Sequence, residues 1–363
     1  MCFQKNDKLR KMIQSKGMIL FVFLLFALVF PFSTFSFQKT VSAENNNSTD
    51  TAAQIGADEK EVGQAKITSK DYYRIDILGD PHLPGRDLDK KKIVIEHINV
   101  WKDSDLVVVP GDLCQTTGTD RELKCAVSFF SQLKKNTIIL NGNHDYVFQD
   151  IDVNNPVLTL GNPESKAQKL RAFLNAFNKA EPYTSLAIPG YHLIFLAPDE
   201  IHGDVYAEMS QKQLKWFEYE LFSNRNTPTI VFFHAPLWSK NVLKTNPKLV
   251  NYLAQPLNEL SRIVLDNPQV KLWVAGHVHF GVFNPVNSSP INVFEERVNN
   301  IVCCDIDGRS ILAGTEINLE KHENIWTKSL FLYHDRIVVK VFDHISNNWI
   351  DQLERKFKLC DDQ

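Results

Sequence analysis

Cysteine is scarce, with six in 363 residues, and Cys2 lies in a leader-like stretch, leaving Cys114, Cys125, Cys303, Cys304 and Cys360. An odd, sparse set excludes a disulfide scaffold. One Cys114 to Cys125 bridge stays open, and buried free thiols are the plainer expectation. Glycine and proline number only 15 and 16 and no internal repeat occurs, which excludes collagen, mucin-like and low-complexity chains. A polytopic membrane protein is excluded too, because Met18 to Phe30 is the one long unbroken apolar run. Net positive charge is lacking outside the N-terminus. The first 43 residues carry Lys5, Lys8, Arg10, Lys11, Lys16 and Lys39 against Asp7, so the overall charge of −3 hides a remainder of −8. Duplex nucleic acid is therefore not the expected main partner, and a phosphate-bearing ligand would need bound cations to draw it in.

What is present begins with a basic stretch to Lys16, the apolar run, and Val41-Ser42-Ala43, small residues at the spacing a signal peptidase reads. Residues 1–43 read as a signal peptide cleaved before Glu44. The alternative extends the segment over residues 18–37, across Pro31, Ser33, Thr34 and Ser36, to the roughly 20 residues of an uncleaved membrane anchor. Both place the remainder outside the cytoplasm, secreted or membrane-attached. Residues 44–68, polar and without apolar period, read as a disordered linker. Asn46, Asn47 and Asn287 head glycosylation-type triplets too short to carry weight.

Residues 69–363 read as one folded domain. Strands are expected at Tyr73 to Leu78, Leu106 to Val109, Ile138 to Leu140, Leu193 to Ala197, Ile230 to Phe233 and Leu272 to Ala275. Helical patterns lie between them at Asp89 to Trp101, Arg121 to Leu133, Lys166 to Lys179, Gln211 to Phe222 (N-cap Ser210) and Pro247 to Asp266. This alternation predicts an α/β domain with helices covering both faces of its sheets. Strands at Ser310 to Ile317, Thr327 to Tyr333 and Arg336 to Asp343 are expected to form a second sheet.

The chemistry collects where the apolar runs end, the edge at which open α/β sheets gather ligands. The first strand runs into Asp80-Pro81-His82, the second into Gly111-Asp112, and the third into Gly142-Asn143-His144-Asp145. Two later strands end at His234 and at Gly276-His277-Val278-His279. Singly, each is a turn residue, a cap or a boundary histidine. Together they put carboxylate, amide and imidazole groups at one sheet edge.

This ordered set resembles the calcineurin-like metallophosphoesterase superfamily over about residues 72 to 300, nearest the branch containing class III cyclic-nucleotide phosphodiesterases, which the His202-Gly203 to Leu221 stretch also resembles. The resemblance implies a four-layer α/β/β/α sandwich, two packed sheets flanked by helices. It implies a binuclear centre with one metal on Asp80, His82 and His279, the other on Asn143, His234 and His277, and Asp112 bridging. It also implies phosphate contact by Asn143 and His144, proton donation by His144, and orientation of that imidazole by Asp145; the alternative for Asp145, read from the residue alone, is a helix or turn cap. Purple acid phosphatases carry Tyr three residues after the bridging Asp; here Gln115 stands there.

Oxygen and nitrogen donors suit Mn²⁺, Zn²⁺, Fe²⁺ or Co²⁺ without choosing among them. Paired cations lower the pKa of a shared water and clamp phosphoryl oxygens, so the expected activity is hydrolysis of a small phosphomonoester or phosphodiester. The alternative is a non-catalytic metal-binding scaffold of the same fold. His202 is a candidate substrate contact and Trp238 a cleft wall. Cyclic nucleotide, nucleotide, sugar phosphate, phospholipid headgroup and envelope pyrophosphate all remain open, with specificity expected in loops 146–165 and 280–300. Export points away from cytosolic second messengers.

Overall fold

Strand β1 (Tyr72–Ile77) pairs in parallel with β2 (Leu106–Val109), and β2 with β3 (Thr137–Ile139). The computed structural model describes residues 70–152, 157–239, 247–314 and 318–359. The expected targeting segment and linker, residues 1–43 and 44–68, and Cys360 lie outside the described residues. Among those described, no helix is long and apolar enough to cross a membrane.

A second sheet holds β4 (Thr184–Ile188), β5 (Tyr191–Phe195), β6 (Thr229–Phe232), β7 (Val270–Ala275), β8 (Val293–Phe294) and β9 (Val298–Val302), in the order β4-β5-β6-β7-β9-β8. Its central strands β5, β6, β7 and β9 are parallel. After the small hairpin β10 (Arg309–Ser310) and β11 (Glu320–Lys321), the chain returns as β12 (Trp326–Tyr333), β13 (Arg336–Asp343), β14 (Asn348–Trp349) and β15 (Arg355–Lys358). The separate sheet expected from sequence for these strands is not what the structure shows. They complete the first, in the order β14-β13-β12-β1-β2-β3 with β15 also on β13, because β12 pairs antiparallel with β1.

The parallel strands are buried on both faces, so they read as continuous apolar runs. Leu106 and Val108 of β2 meet Ile230 and Phe232 of β6 and Leu272 and Val274 of β7 in the core between the sheets. The alternate residues Val107 and Val109 pack on α1 (Leu88–Val100), α2 (Asp120–Phe130) and, through Phe173, α4 (Pro163–Ala176), while α3 is the short turn Asn143–Tyr146. On the second sheet, Val231, Trp273 and Ala275 pack under α5 (Gln211–Ser223) and α6 (Leu257–Leu265). Helices therefore cover only the outer face of each sheet, giving the four-layer sandwich; the inner faces are spent on each other. Burying each such side chain contributes roughly 1.5–3 kcal/mol, which sets the register of both layers.

Helix starts follow their capping residues. Thr119 and Glu122 form a reciprocal capping box, and Ser210 Oγ accepts from Gln213 N. The expected Pro247 to Asp266 helix is instead a 3-10 turn, Pro247–Tyr252, followed by α6, because Pro256 has no N–H to carry the ladder through. The expected Ser310 to Ile317 strand shrinks to β10, with residues 315–317 outside the described set. Cys114 and Cys125 are free thiols, not a bridge. The amide of buried Asn287 donates to Gly281 O, so this triplet serves the fold.

Candidate metal centre

Asp80 and His82 follow β1, Asp112 follows β2, and Asn143 opens α3 after β3, while His234 follows β6 and His277 and His279 follow β7. All seven are buried. Five of them, Asp80, His82, Asp112, His277 and His279, have φ between 38° and 69°. Non-glycine residues adopt this left-handed backbone at a cost of order 1–3 kcal/mol, held only where the surroundings over-determine it. Here it brings alternate side chains, Asp80 with His82 and His277 with His279, to the centre from the ends of parallel strands. Gly111 at φ 118° permits the packing behind them, since a Cβ there would sit 2.6 Å from His234 Nδ1.

The seven converge. Ligand atoms of His82, Asp112 and His279 lie within 4.8 Å of one another, as do those of Asp112, His234 and His277. Asp112 is common to both groups. His82 Nε2 and His279 Nε2 are 3.2 Å apart, and Asp80 Oδ1 is buried without a hydrogen-bond partner. On the other side His234 Nε2 is 2.9 Å from Asn143 Oδ1 and 3.2 Å from Asp112 Oδ1. Buried imidazole, amide and carboxylate donors facing one another, with an orphaned carboxylate oxygen among them, fit a pair of divalent cations.

Outer contacts fix which nitrogen points inward. His234 Nδ1 donates to Pro110 O at 3.0 Å and His277 Nε2 to Asn251 O at 2.8 Å. His279 Nδ1 lies 3.1 Å from Asp305 Oδ2. Such partners set tautomer and ring orientation. Packed together out of water, these groups shift one another's proton affinities. Burial pushes Asp80 up to about 6. Burial lowers His234, but Asp112 and Asp80 outweigh it and raise it to about 9, while burial and the neighbouring His234 take His277 down to about 3.

His144 lines the cleft over this centre, its ring 5.0 Å from that of His82. Its Nδ1 is 2.6 Å from Thr116 O, which leaves Nε2 as the free nitrogen, and burial lowers its pKa. The orienting group is thus a backbone carbonyl. Asp145 caps instead: its carboxylate accepts from Gly142 N at 2.7 Å, Cys114 N at 2.9 Å and Leu113 N at 3.2 Å, binding the loops after β2 and β3 together. Burial and then the charge of Asp112 raise Asp145 to about 7. His202 is exposed and stands outside the cleft lining, where Tyr206 is found. Gln115 accepts from Gly85 N at 3.1 Å. Trp238 walls the cleft, stacked on Phe280.

Asp305 was not anticipated. It follows β9 and heads an ionic chain: Arg309 Nη2 reaches Asp305 at 3.2 Å, Arg309 Nε reaches Asp307 at 3.2 Å, and Lys91 Nζ reaches Asp307 at 2.5 Å. Lys91 also donates to the carbonyls of Pro81, His82 and Pro84 at 2.7, 3.1 and 3.1 Å. The chain thereby ties the His82 loop to His279. The signal was the run Ile301-Val302-Cys303-Cys304 ending in Asp305.

A family model for calcineurin-like phosphoesterase matches residues 73–281. A 3',5'-cyclic-nucleotide phosphodiesterase of Nostoc sp. is 26% identical over 175 residues, 48% of this chain and 56% of that protein, so the match spans little more than half of the relative. Among solved structures, a dimetal phosphatase from Danio rerio superposes at TM-score 0.53 with 12% identity, over 80% of this chain and all of that one. A purple acid phosphatase from yellow lupin gives TM-score 0.51 with 14% identity, over 79% and 54%. The structural likenesses are of fold.

Proposed function

The chain belongs to the calcineurin-like phosphoesterase family, and from that premise we propose that it hydrolyses a small phosphoester, monoester or diester, at a binuclear metal centre. The observation that supports this reading is Asp112, whose carboxylate is shared by both ligand groups. Asp80, His82 and His279 would hold one ion, Asn143, His234 and His277 the other, with Asp112 between them. Two divalent cations, when bound, supply Lewis acidity and lower the pKa of water.

The remaining work falls to the chain. Its strand ends hold the ligands rigid, so little reorganisation is needed on binding. The apolar cleft wall excludes water. His144, oriented through Nδ1 by Thr116 O, carries a proton on Nε2 to the leaving oxygen. The cleft also supplies the Asn143 side chain as a phosphate contact. We further propose that this happens outside the cytoplasm, on the support of the basic and apolar N-terminal segment.

The test is elemental analysis of the purified chain with hydrolysis of p-nitrophenyl and bis-p-nitrophenyl phosphate, with and without Mn²⁺. About two metals per chain and chelator-sensitive turnover are expected. Bound metal without turnover across a broad ester panel would assign the protein to the non-catalytic scaffold. Protease protection of the cell-bound protein checks the location.

A further inference from the structure

The cleft above the centre, about 250 Å³, has a polar floor and an apolar wall. The floor is Asp112, Asn143, His144, His277 and His279, and the wall includes Phe148, Tyr206, Trp238, Leu249, Tyr252 and Phe280. Among the described residues no lysine or arginine lines it. Among the described residues, Lys91 is committed to Asp307 and three carbonyls, Arg309 to Asp305 and Asp307, and Arg86 to Gly308 O. The wall also offers few free donors. The Trp238 indole N–H donates to Asn292 Oδ1 at 3.2 Å, and the rings of Trp238 and Phe280 are stacked 5.8 Å apart. Phe148 and Tyr206 meet edge-on at 5.1 Å, and Tyr252 lies 5.7 Å from the His277 ring.

Two dications against Asp80 and Asp112 would leave the floor net positive, enough for one phosphate, and among the described residues the wall offers no cation to pair a second anion, its polar points being the hydroxyls of Tyr206 and Tyr252. An unpaired charge placed against that wall would lose its water uncompensated. We propose that the ligand carries a single phosphate and no other charge, and that the ester group against the wall is apolar, aromatic or alkyl. This rests on the metal-centre reading above and narrows it away from pyrophosphates and nucleotide polyphosphates.

Calorimetry on the full, Mn²⁺-loaded chain tests it with non-hydrolysable phosphonates. Phenylphosphonate is expected to bind at least about tenfold more tightly than methylphosphonate, through apolar burial. 4-Carboxyphenylphosphonate, with the same ring and one added charge, is expected to lose that gain. Tyr252→Ser, its fold checked by circular dichroism, is expected to narrow the phenyl-to-methyl ratio. Equal affinity for the three ligands, or preference for the carboxylated one, overturns the inference. Phenyl phosphate turnover is measured separately: no turnover with the aryl preference intact overturns the phosphoesterase reading alone, and turnover without the preference overturns this inference alone. Failure of every phosphonate to bind overturns both.

Discussion

Asp305 Oδ2 lies 3.1 Å from His279 Nδ1 and 3.2 Å from Arg309 Nη2, so a carboxylate outside the ligand set holds one ligand imidazole by its outer nitrogen. Burial would lower His279, yet Asp305 outweighs it and raises the ring's proton affinity. A basic imidazole is the stronger metal ligand, and loss of such a partner typically costs about 10–100-fold in affinity. Asp305→Asn should therefore weaken one of two metal-binding events by that factor and spare the other. Calorimetric titration of chelator-stripped protein with Mn²⁺ resolves the two; equal weakening of both would contradict the assignment.

Asp112→Asn is predicted to act on both sites. The amide keeps the volume, and its oxygen can still accept the His144 N–H, which Asp112 Oδ1 takes at 2.9 Å. What it removes is the charge shared by both ligand groups. Metal content should fall below one per chain and turnover by at least about 100-fold, with the circular dichroism spectrum unchanged. A well-folded variant with full activity would end the binuclear proposal.

The ligand set was legible because each member ends an apolar run, and parallel strands make such ends a common edge. What escaped depended on pairing. Nothing local in Trp326 to Asp343 says that β12 lies beside β1, so these strands were expected in a separate sheet. Asp305 escaped because Asn299 and Asn300 interrupt the apolar pattern of β9. Those amides are internal fastenings: Asn300 joins Leu237 N and O at 2.9 Å each, beside the His234 loop. The orienting partner of His144 is a backbone carbonyl, which no side-chain motif records, and Asp145 was free to cap because Thr116 O took that role.

Lys91 is buried and joins the carbonyls around His82 to Asp307. Breaking a buried ion pair from one side leaves an uncompensated charge and costs about 3–5 kcal/mol. Lys91→Met should thus lower unfolding free energy by about 3 kcal/mol. Asp307→Asn added to it should be less than additive, with a coupling of about 1 kcal/mol or more, since the amide oxygen can still accept Arg86 N, now at 2.7 Å from the carboxylate. Urea denaturation of the four proteins in this cycle measures the coupling; strict additivity would mean that the pair does not act as a unit.

A last prediction concerns His344, fully buried between Thr327 Oγ1, 2.8 Å from its Nε2, and His97 Nδ1, 3.0 Å from its Nδ1. Burial, then the charges of His97 and Arg74, lower it to about 3. In the unfolded chain histidine titrates near about 6.5. Between these values the unfolded state binds the proton and the folded state does not, so stability is full above about 6.5 and falls as pH drops toward 3. The slope from one such group approaches about 1.4 kcal/mol per pH unit. The ligand histidines His82 and His277 add the same sign in metal-free protein. The test is therefore a difference: urea midpoints of wild type and His344→Gln from pH 7 to 5. The variant should start less stable and lose less on acidification. Parallel curves would show that His344 is not the neutral, proton-excluding group described.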